Sequence, residues 1–399
     1  MKYIIVLGDG MADEPLEELG NCTPLEVAKT PTMDAMALHA EIGMAYTVPD
    51  GMSPGSDTAN LSVMGYDPKE YYTGRSPIEA LSIGVDMKNT DVSFRCNVVT
   101  LSEEQENYED RVITDHSAGE ITTKEATQLI DDLKEELKRE GYAFYAGTSY
   151  RHLLVWEQGE VMDLVPPHDI LTSRIGEYLP KDDVLREMME KSYAFLVQHP
   201  INIARKEKGL NPANSAWFWG AGTKPGISNF EEKTGKKGAV ISAVDLLKGI
   251  AVGAQMQSID VEGADGSLHT NYMGKAQAAL HTLLDEDNDF VYIHVEAPDE
   301  MGHQGLMKEK IQAIEWLDEK IIAVVKKGLD EAGVEYRMLV LPDHPTPIRL
   351  RTHTANPIPY MLYDSSLAHE SQGLYNEKVA ETSRHIYKDG YKLIDHLFE

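Results

Sequence analysis

A chain of 399 residues, 42% hydrophobic and 26% charged, has an ordinary globular make-up but is too long for one usual core, so two domains are expected. Its 66 acidic against 37 basic residues give a net charge of -29, which repels phosphate backbones and anionic lipid surfaces and excludes nucleic acid and membrane as expected partners. The two cysteines, Cys22 and Cys96, build neither a disulfide framework nor a thiolate zinc cluster, and they fit a reducing cytoplasm. An anionic substrate would then need local cations, either metal ions or arginines.

The chain opens on a short apolar run, Met1 to Gly8, far shorter than a membrane span and without a small-residue cleavage site; it is read as the first strand. Asp9 follows between two glycines. There it either offers a carboxylate where backbone comes close to a ligand or closes a tight turn on itself. Ser56, in Ser-Pro-Gly-Ser-Asp-Thr-Ala-Asn, precedes an apolar helical stretch. It is either an N-cap or a hydroxyl placed where helix-end amides and dipole favour a phosphoryl group. From about Asp91 to Pro180 the pattern changes to short strands around one charged helix, started at Thr122-Thr123, running from Lys124 to Glu140 and stopped by Gly141.

Buried-strand runs reappear at Phe290 to Val295 and Tyr336 to Leu341, with a weaker one at Ser215 to Trp219. A helix is expected over Lys310 to Gly328, where Ile311, Ile314, Leu317, Ile321, Ile322 and Val325 form one apolar stripe. Alternating strand and helix predicts an α/β fold with a mostly parallel sheet sandwiched by helices. The expected domains are a core of residues 1–90 and 181–399, and a smaller inserted α+β domain of residues 91–180.

In open α/β sheets, sites form beyond the carboxyl ends of the strands, and here these ends deliver acidic residues. Asp299 and His303, four apart in Glu-Ala-Pro-Asp-Glu-Met-Gly-His, share one face of a helical turn, as two ligands of one metal or as a solvated face. Asp343-His344 directly follows the run ending at Pro342, and His353 lies in the next loop.

The order Asp, Ser, Asp-x3-His, Asp-His, His resembles the alkaline phosphatase superfamily. Within it the chain resembles the archaeal-type cofactor-independent phosphoglycerate mutases, through Val-Leu-Gly-Asp-Gly-Met-Ala-Asp, Ser-Pro-Gly-Ser-Asp-Thr-Ala-Asn, Gly-Arg-Ser-Pro-Ile-Glu-Ala, Phe-Arg-Cys-Asn and Val-Glu-Ala-Pro-Asp-Glu-Met-Gly-His. The resemblance implies an alkaline-phosphatase-like fold and two divalent metal ions, Mn or Zn with Mg as a further option. Asp9, Ser56, Asp343 and His344 would hold one, and Asp299, His303 and His353 the other. It also implies a path in which Ser56 takes the phosphoryl group and returns it to another hydroxyl of a small phosphorylated substrate. Lys237, with Lys236 beside it, matches a lysine that stabilises the transferring group, and Asp115 joins the catalytic set. Arg95, Asn97, Arg151, His152 and Asn214 match substrate-contact positions.

Archaeal members carry Asp-Arg-x-Ala-Gly-Arg where this chain has Asp115-His116-Ser117-Ala118-Gly119-Glu120. His116 and Glu120 are therefore expected at the substrate, in place of two arginines suited to a carboxylate. That exchange keeps two alternatives open: a homoserine kinase analogue, although no P-loop glycine pattern is present, and a metal-dependent phosphatase or phosphonate hydrolase.

Overall fold

The computed structural model describes residues 1–367 and 373–399. Its strands, in chain order, are β1 (Lys2–Gly8), β2 (Ala40–Ala45), β3 (Val92–Leu101), β4 (Ile113–Asp115), β5 (Tyr142–Tyr145), β6 (Arg151–Trp156), β7 (Ser215–Thr223), β8 (Gly238–Ile241), β9 (Gln257–Ile259), β10 (Phe290–Val295), β11 (Tyr336–Leu341), β12 (Ile358–Asp364) and β13 (Ile386–Tyr387). By contacts the chain forms two compact units, one of Met1–Tyr72 with Gly226–Glu399 and one of Thr73–Pro225. The second unit contains the expected insertion of residues 91–180 and extends beyond it on both sides.

The first unit is built on an eight-stranded sheet of order β13-β2-β12-β11-β1-β10-β8-β9. The central strands β11, β1, β10, β8 and β9 run parallel, whereas β12 is antiparallel to both neighbours. Strand β1 lies between β10 and β11, and all three are almost wholly buried. That explains their continuous apolar sequences: a parallel strand covered on both faces has no solvent side for polar residues to occupy. Ile4, Val6, Val291, Ile293, Met338 and Val340 pack with Ile314, Leu317, Ile321 and Val325 of the expected helical stripe. That stripe lies on helix Met307–Leu317, a π-type turn Asp318–Ile322 and helix Ala323–Ala332. At the π turn, the Asp318 carboxylate accepts from the Thr32 and Met33 amides, which gives the orphan donors at the start of helix Pro31–Ala37 a partner. Among the described residues, no helix is long and apolar enough to cross a membrane.

The second unit holds an antiparallel sheet of order β4-β3-β6-β5, with β7 also paired to β3. The weak run at Ser215 to Trp219 therefore belongs here and not to the parallel sheet. Its aromatic side chains Trp217, Phe218 and Trp219 pack in a core with Phe94, Leu129 and Leu154. Helix Thr123–Glu136 begins as expected, with Thr122 accepting from the Glu125 amide, but stops before Gly141.

Candidate metal centre

The parallel strands β1, β10 and β11 end side by side, so the loops after them meet at one edge of the sheet. Asp9 follows β1, helix Ala297–Gln304 follows β10 and carries Asp299 and His303, and Asp343 and His344 follow β11. Ser56 is the first residue of helix Ser56–Val63, beyond its Gly55 N-cap, so its hydroxyl is not a cap; it lies 3.1 Å from His344 Nε2.

Two sets of groups converge. The ligand atoms of Asp9, Asp343 and His344 lie within 4.8 Å of one another, as do those of Asp299, His344 and His353. His303 joins the second set, its Nε2 being 2.9 Å from His353 Nε2 and 3.2 Å from Asp299 Oδ2. His303 Nδ1 donates to the Arg351 carbonyl, so the neutral ring, the form that binds a metal, would turn its Nε2 lone pair to the cluster. The structure thus brings together Asp9, Ser56, Asp299, His303, Asp343, His344 and His353.

Their electrostatics fit divalent cations. Burial, reinforced by Asp343, Asp299 and Glu296, pushes the Asp9 carboxyl well above its ordinary range, and its Oδ1 is buried without a hydrogen-bond partner. A buried, orphaned carboxylate oxygen among further carboxylates is costly unless a cation neutralises it. Burial also works against ionisation of Asp299, but hydrogen bonds from His303 and His353 outweigh it and hold Asp299 well below the usual range. The same hydrogen bond to Asp299 lifts His303 to about 9. Oxygen and imidazole donors without thiolate suit Mg, Mn or Zn chemistry.

Several supporting residues are not evident in the sequence. His294, inside β10, bonds Asp9 Oδ2 at 2.9 Å through Nε2, while Ser242 sits 3.2 Å from its Nδ1. This holds Asp9 with Oδ1 turned to the cluster. Burial lowers His294 to about 3, so it is neutral. Asn60, one turn after Ser56, donates at 2.8 Å to both the Ser56 carbonyl and Asp343 Oδ2, and accepts from the Tyr292 hydroxyl at 2.5 Å. A histidine in an apolar strand and an asparagine in an apolar helix are the sequence signals that point to these two.

Lys237 lies elsewhere. It precedes β8, at the amino end of the parallel strands, where its ammonium is half-exposed and 3.7 Å from Asp287. Lys236 sits over the Tyr3 ring near the start of β1. Neither lysine stands at the carboxyl edge that carries the cluster, and the expected contact with a transferring group has no geometric support. One buried cation at that edge is Lys275, whose Nζ donates to the His294 carbonyl at 2.7 Å; burial lowers it to about 8.

In the second unit, Arg95 lies 4.3 Å over the Trp219 ring and 3.0 Å from Glu79. Asn97 donates to the His116 carbonyl and accepts from Trp219 Nε1. The His116 ring meets Tyr150 and His168 edge-on, and Arg151 lies 5.6 Å over Tyr150. His152 is buried, accepts from the Gly147 amide through Nδ1, and leaves Nε2 without a partner; burial lowers it to about 3. Two expectations change. Asn214 is fully buried and spends its amide on both main-chain groups of Leu101, so it pins β3 and is not free for a substrate. Asp115 accepts from Ser117, Gly119 and Asn211; burial opposes its ionisation, but these bonds prevail and hold it below the ordinary range. It organises its own loop, in which Ala118, Gly119 and Glu120 all have positive φ.

A mostly parallel sheet of this order, with its metal-ligand types gathered at the carboxyl edge, defines an alkaline-phosphatase-like α/β protein. The family model described as 2,3-bisphosphoglycerate-independent phosphoglycerate mutase matches residues 37–202. A probable 2,3-bisphosphoglycerate-independent phosphoglycerate mutase of Geobacter sulfurreducens is 48% identical, over 100% of both chains. Its counterpart in Methanosarcina mazei is 49% identical over 91% of this chain and 90% of the relative. Among solved structures, a Pyrococcus horikoshii protein superposes with a TM-score of 0.82 at 29% identity, covering 99% of this chain and 96% of that one. The cofactor-independent phosphoglycerate mutase of Thermoplasma acidophilum gives 0.64 at 28% identity, covering 100% and 99%. The chain belongs to the 2,3-bisphosphoglycerate-independent phosphoglycerate mutase family.

Proposed function

We propose that the chain interconverts 2- and 3-phosphoglycerate in glycolysis, in the cytoplasm, through a phosphoserine at Ser56. The observation that carries this reading is the Ser56 hydroxyl at a helix N-terminus, 3.1 Å from His344 Nε2, beside two converging groups of carboxylate and imidazole. Asp9, Ser56, Asp343 and His344 would hold one divalent ion, and Asp299, His303 and His353 the other, with Mn or Zn as the expected metals and Mg as an alternative. When bound, the ions lower the pKa of the serine hydroxyl and neutralise charge on the phosphoryl group.

Ser56 Oγ attacks phosphorus, the bond from phosphorus to the glycerate oxygen breaks, and the leaving alcohol takes up the proton that the serine gives up. The dipole at the start of helix Ser56–Val63, whose Gly55 N-cap supplies no side-chain cap, favours the charge of the resulting phosphoserine, although the Thr58 amide of this first turn is held by Asp57 Oδ1. The second glycerate hydroxyl then attacks phosphorus and loses its proton, and Ser56 regains one. Arg95, Arg151, His116 and His152 of the second unit would supply substrate-side contacts, whereas Asn97 is buried with both amide atoms engaged, and Glu120 replaces an arginine suited to a carboxylate.

The test is isomerisation of 3-phosphoglycerate without added bisphosphoglycerate, with rapid-quench mass spectrometry for phosphoserine at Ser56. Phosphorylation of homoserine from ATP, or phosphate release from aryl phosphates without isomerisation, would overturn the mutase reading.

A further inference from the structure

Lys310 is fully buried, yet it faces out of the apolar stripe of its helix into a polar pocket. Its ammonium donates to Asp13 Oδ2 at 2.7 Å, the Thr346 carbonyl at 2.8 Å and the Ala12 carbonyl at 3.3 Å, one acceptor for each N–H. Two of these acceptors belong to the loop after β1 that begins with Asp9, and one to the loop after β11 that carries Asp343 and His344. Asp13 closes the connection by accepting from the Ile348 amide.

Thr346 carries the connection onward. Its hydroxyl donates to Asp299 Oδ1 and stands 3.3 Å from His344 Nδ1, from which it accepts. A hydroxyl has one proton, so this pattern requires His344 to carry its proton on Nδ1 and to present the Nε2 lone pair towards Ser56. His344 also lies between the two convergent groups, being a member of both. Close packing around Thr346 supports the same reading. A Cβ on Gly10, whose φ is +58°, would stand 2.5 Å from both Asp299 Oδ1 and Thr346 Oγ1, and a Cβ on Gly302 would stand 2.6 Å from the Thr346 carbonyl oxygen. Both positions leave the three ligand-bearing segments room to meet on this one threonine.

We propose that Lys310 and Thr346 are positioning residues, which lock the spacing between the Asp9–Asp343–His344 group and the Asp299–His303–His353 group. The inference rests on the two-metal reading. A salt bridge that merely stabilised the fold would not need Thr346 to join ligands from both groups, whereas a spacing device does.

Thr346→Val removes the hydroxyl at nearly constant volume and keeps the carbonyl that Lys310 uses, and Thr346→Ser restores the hydroxyl. Lys310→Met tests the upstream half. Binding of Mn(II) alone is measured by calorimetry, magnetic coupling between two bound Mn(II) ions by electron paramagnetic resonance, and the melting of metal-free protein in parallel. The expected result for Thr346→Val is a modest fall in metal-free melting, because Asp299 and His344 lose a buried partner, together with a far larger effect on the metals: Mn(II) affinity at one or both sites weakened roughly 10- to 100-fold and altered coupling. Thr346→Ser should return to within about threefold of the parent. Unchanged Mn(II) affinity and coupling in Thr346→Val would overturn the proposal, as would a loss that serine does not restore or one accompanied by an equal fall in metal-free stability. If Lys310→Met does not fold, the threonine pair still decides. Failure of the unaltered protein to bind Mn(II) would instead sink the metal reading, and this inference with it.

Discussion

Ser56 Oγ and His344 Nε2 stand 3.1 Å apart, although 288 positions separate them in sequence. A helix beginning and a strand ending supply the two atoms, and each is fixed by a second contact: Asn60 ties the Ser56 turn to Asp343, and Thr346 holds the His344 ring. Replacing Ser56 with alanine should therefore abolish turnover, by on the order of 10⁴-fold or more, the scale on which a lost nucleophile acts. Folding should be unaffected, because the serine hydroxyl caps nothing. Steady-state isomerisation and far-UV circular dichroism of Ser56→Ala check both statements, and substantial activity in that variant would end the phosphoserine reading.

Asn60 is the next sensitive position. Its amide satisfies Asp343 Oδ2 and the Ser56 carbonyl, and its oxygen accepts from Tyr292, all in a fully buried environment. Asn60→Ala leaves these groups without partners and should cost about 2 kcal/mol or more in a urea titration of metal-free protein. It should also lower kcat more than it raises KM, since the misplaced group is the nucleophile and not the substrate. A shift below about 0.5 kcal/mol would mean that water replaces the amide at no loss.

Lys237→Ala offers a contrary test. With its ammonium half-exposed at the amino end of the strands and 3.7 Å from an exposed Asp287, it should change kcat by less than about twofold, as removal of surface ion pairs usually does. A fall beyond about tenfold would show that Lys237 does reach the reacting group during turnover.

The parallel strands and the residues at their ends were legible because burial on both faces writes an unbroken apolar run, and a run that stops at Asp or His marks a strand end. Lys237 shows where such reading stops. Its match to a motif carried a family role onto it, but it precedes β8, and which end of a strand a residue flanks decides the edge of the sheet that its side chain serves. Lys310 was hidden for the opposite reason: the stripe from Ile311 to Val325 describes the apolar face of the helix and is silent about a lysine whose three partners come from segments far away in sequence. Ser215 to Trp219 had a strand's composition, yet composition does not say which sheet it joins; its antiparallel partner is β3. Asn214 could not be separated from a substrate contact until both of its amide atoms were found on the Leu101 main chain.

A pH-dependent latch joins the C-terminal helix to β2. Glu41 lies 3.3 Å from His396 Nε2 and 3.3 Å from His385 Nδ1, and accepts from Tyr360 at 2.7 Å. The hydrogen bond to Glu41 raises His396 from 6.5 to about 9. Burial opposes ionisation of Glu41, but bonds from His396 and Tyr360 prevail and lower it from 4.5. The histidine's stabilisation is fully present below its unfolded value of about 6.5 and is lost as pH rises through about 9, while that of Glu41 is present above about 4.5 and lost on acidification. The stability gap between parent and His396→Asn should therefore be widest near pH 5.5 and close by about pH 9.5. Urea titrations at the two pH values measure it, and a gap that widens with alkali would refute the latch.

Selectivity in the second unit gives the last test. His116 stands against Tyr150 and His168, and Glu120 is an exposed loop residue whose φ of 51° already strains a non-glycine residue. Arginine at 120 would keep the same backbone cost while reversing the charge, so the exchange tests electrostatics without rebuilding the loop. A charge-assisted bond from arginine to a substrate carboxylate contributes on the order of 1.5 to 3 kcal/mol, equivalent to about one to two decades of affinity. The His116→Arg, Glu120→Arg variant should accordingly lower KM for 3-phosphoglycerate roughly tenfold or more with kcat little changed, because the added contact is present in ground state and transition state alike. Asp115 and its bonds to Ser117, Gly119 and Asn211 remain in place to hold the loop, so lost folding is not the expected outcome. Parallel assays with homoserine and ATP separate the two chemistries. If KM for phosphoglycerate rises in the double variant, His116 and Glu120 are themselves productive substrate contacts and do not discriminate against its carboxylate.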